Sequence, residues 1–186
     1  MVKLWCHELS RVFADRLISE ADRIKFDDLL KEVVKDKFKR DWKSMVEVEP
    51  LLFASFIPLI YPDGDTTKKP LNDLYCELYD RKKVKDTCES SLVDYNSFNH
   101  SKKMNLVLFV SAIEHIVKIH RIITTEYGHA LLVGVGGSGR KSLTELATFI
   151  ANFESFSIEI SKNYDFKAWR DDMKEKLFLG CGVDQK

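Results

Sequence analysis

Apolar residues recur along this chain at three- and four-residue steps, and each such stretch predicts a helix buried along one side. Residues 3–19 align Trp5, Leu9, Val12, Phe13 and Leu17. Residues 25–42 align Phe26, Leu29, Leu30, Val33, Val34, Phe38 and Trp42 opposite a heavily charged face, a stripe that reads as core. Glu49-Pro50 closes this region, because a residue before proline avoids the helical conformation. Leu51 to Tyr61 then reads as a short buried strand or extended segment, and Pro62 to Pro70 as a surface loop. Residues 71–95 carry Leu74, Leu78, Val84, Cys88, Leu92 and Tyr95 and read as helical for much of their length. Asn96 to Ser101 breaks the pattern as a linker bearing a helix cap, which places a domain boundary there. Residues 102–124 predict another helix, apolar at Leu106, Phe109, Val110, Ile113, Ile116, Val117 and Ile123, with His115 and His120 read as packing histidines.

The pattern changes beyond Gly128. Ala130 to Val133 is a short apolar run that suits a buried strand, and four glycines follow within Gly134 to Gly139. Ser142 to Ile150 returns to helical spacing, with Leu143, Leu146, Ala147 and Ile150 on one face. Strand, glycine-rich turn and helix in that order predict a phosphate-binding loop. Glycines let successive backbone N–H groups turn inward, and the helix N-terminus adds partial positive charge. The candidate nucleotide-binding residues are Gly134, Val135, Gly136, Gly137, Ser138, Gly139, Arg140, Lys141 and Ser142. Against the pattern G-x-x-x-x-G-K-[ST], Gly134 and Gly139 fit, Arg140 stands where lysine belongs, and Lys141 stands where the Mg²⁺-binding hydroxyl belongs. Arginine keeps the charge but is planar and bulkier than lysine. A site that holds ATP or ADP, with Mg²⁺ in doubt, is expected, and a glycine-rich turn without ligand is the alternative. Ser155 to Ile160 reads as a further strand and Phe166 to Leu179 as a helix, apolar at Trp169, Met173 and Leu177 and ended by Gly180 and Gly182.

With 186 residues, 45% of them hydrophobic and 31% charged, the chain suits one ordinary globular domain or two small pieces of domains. Basic and acidic residues number 29 each, so the zero net charge points to neither nucleic acid nor an anionic membrane as partner. Cys6, Cys76, Cys88 and Cys181 lie far apart without a C-x-x-C pair, which argues against zinc and for a reducing compartment. His7-Glu8 begins like H-E-x-x-H, but the fifth position is Arg11, so no metal site is expected. Arg11, Asp15 and Arg16 read as a solvent face or an interdomain salt-bridge set, with a nucleotide-sensing arginine as the sharper alternative. No leader peptide or membrane span is expected. After residue 143 no apolar strand ends in the acidic residue that phosphoryl transfer requires, so the catalytic set is empty and no metal ligand is assigned.

Several segments together resemble one family. Gly128 to Arg140, followed by Leu143, resembles the P-loop of the fourth AAA+ module of axonemal dynein heavy chains. Met104 to Phe109 and Ala112 to His115 resemble the helix before that loop, and Ile158 to Lys162 with Trp169-Arg170 the strand and helix after it. Leu4-Trp5, His7-Glu8, Arg11 to Phe13 and Asp15 to Leu17 resemble the helical lid that ends the third module. The resemblance covers nearly the whole chain in the same order. It implies an α/β, helix-dominated fold: residues 1–95 as the helical lid of a preceding AAA+ module, then residues 96–186 as a truncated P-loop αβα domain. Arginine at the lysine position is usual for axonemal members, whereas Lys141 stands where they generally carry glutamine. A regulatory, non-catalytic nucleotide site is implied, within a microtubule motor of the ciliary axoneme. The implied partners are the remaining AAA+ modules, dynein intermediate and light chains, and microtubules. A structural fragment with a vestigial P-loop and a small autonomous P-loop NTPase are the competing readings.

Overall fold

The computed structural model describes residues 1–57, 74–100, 102–158, 161 and 164–178. Two compact units are present, Met1–Asn152 and Phe153–Lys186.

The first unit opens with α1, Val2–Val12, followed by a 3-10 turn at Ala14–Arg16. The single helix expected over 3–19 therefore stops early. Leu17 is extended, its carbonyl accepts from Arg23 Nε at 3.0 Å, and Ser19 then opens α2, Glu20–Phe38. Glu20 and Asp22 lie in the first turn of α2, where carboxylates complement the helix dipole, and this starts the helix before the expected residue 25. Lys39 ends it in a left-handed conformation, φ 53°, with its N–H returned to the Val34 carbonyl. A short α3, Trp42–Met45, is capped by the Asp41 carboxylate accepting from Ser44 N at 3.2 Å. Cys6, Leu30 and Val34 are buried between these helices, with Leu9, Phe26, Trp42 and Met45 packed around them.

A second and larger core lies beneath the rest of this first unit. Strands β1, Phe53–Ala54, and β2, Cys76–Glu77, pair antiparallel with Phe53 opposite Glu77 and Ala54 opposite Cys76. The expected strand over 51–61 is thus reduced to a two-residue ladder in its described part. Residues 58–61, the loop at 62–70 and the start of the helix expected from residue 71 lie outside the described residues. Helix α4, Arg81–Phe98, begins where the Asp80 carboxylate caps Lys83 N at 3.0 Å, and it buries Val84, Cys88 and Tyr95. It runs through residues 95 and 96, where the boundary was expected. Asn96 is helical rather than linker, and its amide clamps the backbone of Met104, donating to the carbonyl at 2.9 Å and accepting from the N–H at 2.7 Å.

Residues 102–109 are extended, not helical as expected. Met104 and Leu108 are buried and Leu106 partly so, while Asn105, Val107 and Phe109 face solvent. That alternation is the period of extended chain and overrides the helical count. Helix α5, Val110–Thr124, follows and buries Ile113, Ile116, Val117 and His120. The His120 ring packs on Phe56 at 4.8 Å between centroids, whereas His115 is exposed, contrary to its reading as a packing residue. Helix α6, Arg140–Ile150, starts two residues before the expected Ser142, ends where expected, and lays Leu143, Leu146 and Ala147 into the same core.

In the second unit, α7, Phe166–Asp172, is capped by Asp165 accepting from Ala168 N at 2.8 Å and continues as a π-helical turn, Met173–Phe178. Tyr164 donates to Asp172 at 2.8 Å and Phe166 stacks on Trp169. The strand expected at 155–160 is absent over its described part, where Phe156 and Ile158 are solvent-facing coil, while Ile160 lies outside the described residues.

Candidate nucleotide-binding loop

The path into the loop is set at the end of α5. Thr125 closes the helix, Tyr127 adopts φ 55°, and Gly128 N donates to the Thr125 carbonyl at 2.9 Å. A Cβ on Gly128 would sit 1.8 Å from the Ile122 carbonyl oxygen, so only glycine lets the chain pass beneath the last turn of α5. The chain then runs through Ala130 to Val133 without forming the expected strand. Leu131 and Val133 are 89% and 84% exposed. A strand is made by ladder hydrogen bonds to a neighbour, and no strand among the described residues pairs with this segment.

The loop itself has the predicted turn chemistry. Gly137 and Gly139 have φ of 78° and 76°, in the left-handed region that glycine enters without strain. Gly139 is the residue just before α6, and its carbonyl accepts Leu143 N at 2.9 Å. The N–H groups of the first helical turn, on Arg140, Lys141 and Ser142, have no acceptor within the helix and carry its positive dipole end. An open concavity of about 520 Å³ is lined by Leu132, Gly137, Ser138, Gly139, Arg140, Lys141 and Ser142. A Cβ added at Gly136, Gly137 or Gly139 would meet nothing within 4 Å, so the face of the loop is clear.

Six of the nine residues assigned from the sequence therefore gather on one concavity. Gly134, Val135 and Gly136 belong to the loop but not to its lining, and Val135 is 80% exposed. Leu132 joins the lining, and nothing in an apolar run distinguishes it in advance. The Arg140 side chain folds back across the loop, its two terminal nitrogens donating to the carbonyls of Leu132 at 3.2 Å and Val135 at 3.0 Å. Lys141 is exposed at the head of the helix. Helix dipole, N–H groups and the exposed Lys141 cation make the concavity suited to an anion.

A second polar cluster ties α1 to α5. Glu8 holds Arg121 through both carboxylate oxygens, with Arg121 Nε donating to Oε1 at 3.2 Å. Asp15 receives Lys118 at 3.1 Å and pairs with Arg11 at 3.4 Å, which makes the expected salt-bridge set an inter-helix one. His7 is buried, with Nδ1 2.9 Å from the Leu51 carbonyl and Nε2 3.0 Å from the Tyr75 hydroxyl. Tyr75 also donates to Glu8 at 2.9 Å. Burial pushes the His7 imidazole down to about 4. Burial would raise the Glu8 carboxyl, but hydrogen bonds from Arg121 and Tyr75 outweigh it and hold it below its ordinary value. Sequence reading missed this cluster because Glu8 and Arg121 are 113 residues apart. The thiols of Cys6 and Cys88 are buried and pushed up to about 11 and about 12, which leaves them protonated and unreactive.

Residues 104–186 match the family described as P-loop containing dynein motor region D4. Dynein axonemal heavy chain 1 of Homo sapiens is 40% identical over 183 residues, 98% of this chain and 4% of that protein. Dynein axonemal heavy chain 10 of Homo sapiens is 40% identical over 186 residues, 100% of this chain and 4% of that protein. Dynein axonemal heavy chain 3 of Mus musculus is 40% identical over 197 residues, 100% of this chain and 5% of that protein. The chain thus spans only about one part in twenty of these relatives.

Proposed function

Because this chain belongs to the axonemal dynein heavy-chain family, we propose that residues 134–142 bind ATP or ADP as a regulatory, non-catalytic site of an axonemal dynein motor. The observation that carries this reading is the loop itself. Two left-handed glycines stand before the free N–H groups of α6, over an open concavity. Residues 1–95 then contribute the helical lid of the preceding module and residues 96–186 the start of the next. The working partners are the remaining AAA+ modules, the intermediate and light chains and microtubules, and the place of work is the ciliary axoneme. Hydrolysis is not part of the proposal. Lys141 carries no lone pair for a metal while charged, and Arg140 is engaged with the loop's own carbonyls.

A fluorescent ATP analogue titrated into this chain and into a longer chain completing the module tests the reading. Binding by the longer chain, without phosphate release by this one, supports it. Phosphate release by this chain, lost when Gly139 is replaced by valine, would move it to the small-NTPase class. Silence from both would make the loop vestigial. That second reading has one observation in its favour, the internal engagement of Arg140.

A further inference from the structure

We infer that Arg140 is a positioning residue that braces the loop from within, and that its charge is thereby withheld from the terminal phosphate of a bound nucleotide. The guanidinium spans two carbonyls at the entrance and the first residue of the turn, Leu132 at 3.2 Å and Val135 at 3.0 Å. Leu132 lies on the segment entering the loop and lines the concavity, while Val135 lies in the turn. One planar cation therefore fixes the spacing between entry and turn, as a forked donor can and a point charge cannot. The brace also engages the Leu132 carbonyl and adds a second donor to the Val135 carbonyl, which already accepts from Ser138 N at 3.4 Å. The stem of the side chain passes Gly134 at ordinary van der Waals distance. A Cβ there would lie 3.5 Å from Arg140 Nε and 3.6 Å from its Cδ, and 3.2 Å from the Ser138 hydroxyl, so the arginine stem runs directly over this glycine.

The specificity consequence rests on the nucleotide reading above. A lysine at this position of a P-loop reaches the β- and γ-phosphates. An arginine held on carbonyls does not, so this site is expected to bind diphosphate and triphosphate with similar affinity. The brace itself is independent of any ligand, and the two halves are tested separately.

Hydrogen exchange is measured in the ligand-free chain over residues 131–140, for the native protein, Arg140→Lys and Arg140→Met. Unchanged protection in α5 and the C-terminal half of α6 shows that each variant is folded. Both variants are expected to exchange about two- to tenfold faster at the Ser138 N–H, whose acceptor is the braced Val135 carbonyl, the range set by losing a hydrogen bond of ordinary net worth. Native-like protection in Arg140→Met overturns the brace. Native-like protection in Arg140→Lys with loosening in Arg140→Met overturns the two-carbonyl geometry. ATP and ADP affinities of the chain completing the module are then compared for native Arg140 and Arg140→Lys. A rise in the ATP-to-ADP preference of the lysine variant supports the specificity half, and an unchanged ratio overturns it. Loop exchange that responds to the substitutions while no form binds nucleotide leaves the brace standing and removes the nucleotide reading instead.

Discussion

A carbonyl oxygen only accepts, so the 2.9 Å contact between His7 Nδ1 and the Leu51 carbonyl places the ring proton on Nδ1. Neutral His7 then offers Nε2 as an acceptor, and the single Tyr75 proton has two claimants, Nε2 at 3.0 Å and Glu8 at 2.9 Å. Burial nevertheless holds the imidazole neutral, with its value lowered from 6.5 to about 4. A folded value below the unfolded one means the unfolded state takes the proton first. The contribution of His7 to stability is full above pH 6.5 and is lost as pH falls toward 4, a loss on the order of 3 kcal/mol. Denaturant midpoints measured between these limits should decline in the native chain and decline less in His7→Gln. Two glycines carry distinct expectations. Gly128→Ala should destabilise the chain by about 1–3 kcal/mol through overpacking against the Ile122 carbonyl, read from the denaturant midpoint. Gly139→Val should instead abolish nucleotide affinity, because φ 76° is hostile to a β-branched residue and the loop must distort, read by titration in the chain completing the module. The glycine pattern was legible because turn chemistry is local. The His7–Tyr75–Glu8 chain was not, since no spacing rule relates residue 7 to residue 75.

Among the elements, α6 shows what periodicity reads well. Its apolar residues at 143, 146, 147 and 150 form one stripe, and the first three are buried as that stripe requires. Leu146 is wholly buried, so Leu146→Ala should cost about 2–5 kcal/mol in a thermal or chemical melt, with Lys141→Ala at the exposed helix head as a near-neutral control. Residues 102–109 show where the same reading fails. Leu106, Phe109 and Val110 satisfy a helical count, yet Met104, Leu106 and Leu108 satisfy an alternating one, and a window of eight residues supports either. The Asn96 clamp on Met104 joins α4 to this extended segment, a tertiary contact that single-sequence spacing does not express. Ala130 to Val133 failed differently. Its composition is that of a buried strand, but composition cannot supply the neighbouring strand that would pair with it.

At the scale of the whole molecule, large apolar side chains remain open to solvent. Val107, Phe109 and Val110 are 82%, 61% and 62% exposed, and Leu131, Val133 and Val135 are each at least 80% exposed. Apolar surface of this kind favours association, so the isolated chain should bind a hydrophobic dye and self-associate with rising concentration, as followed by light scattering. A dye-silent, monodisperse monomer at every concentration would contradict that expectation. The links between α1 and α5 carry a consequence for how the chain folds. Glu8–Arg121 and Asp15–Lys118 join residues 113 and 103 positions apart, so each closes a very long loop before it returns any stabilisation. Contacts of that kind are expected to form after the rate-limiting barrier, once the local packing of α5 on α6 exists. In stopped-flow mixing at dilutions that keep the chain monomeric, Arg121→Met should leave the refolding arm of the chevron in place and raise only the unfolding rate, with the slopes of both arms unchanged. The helix nearest the start of the chain is then the last to be fastened and the first to be released.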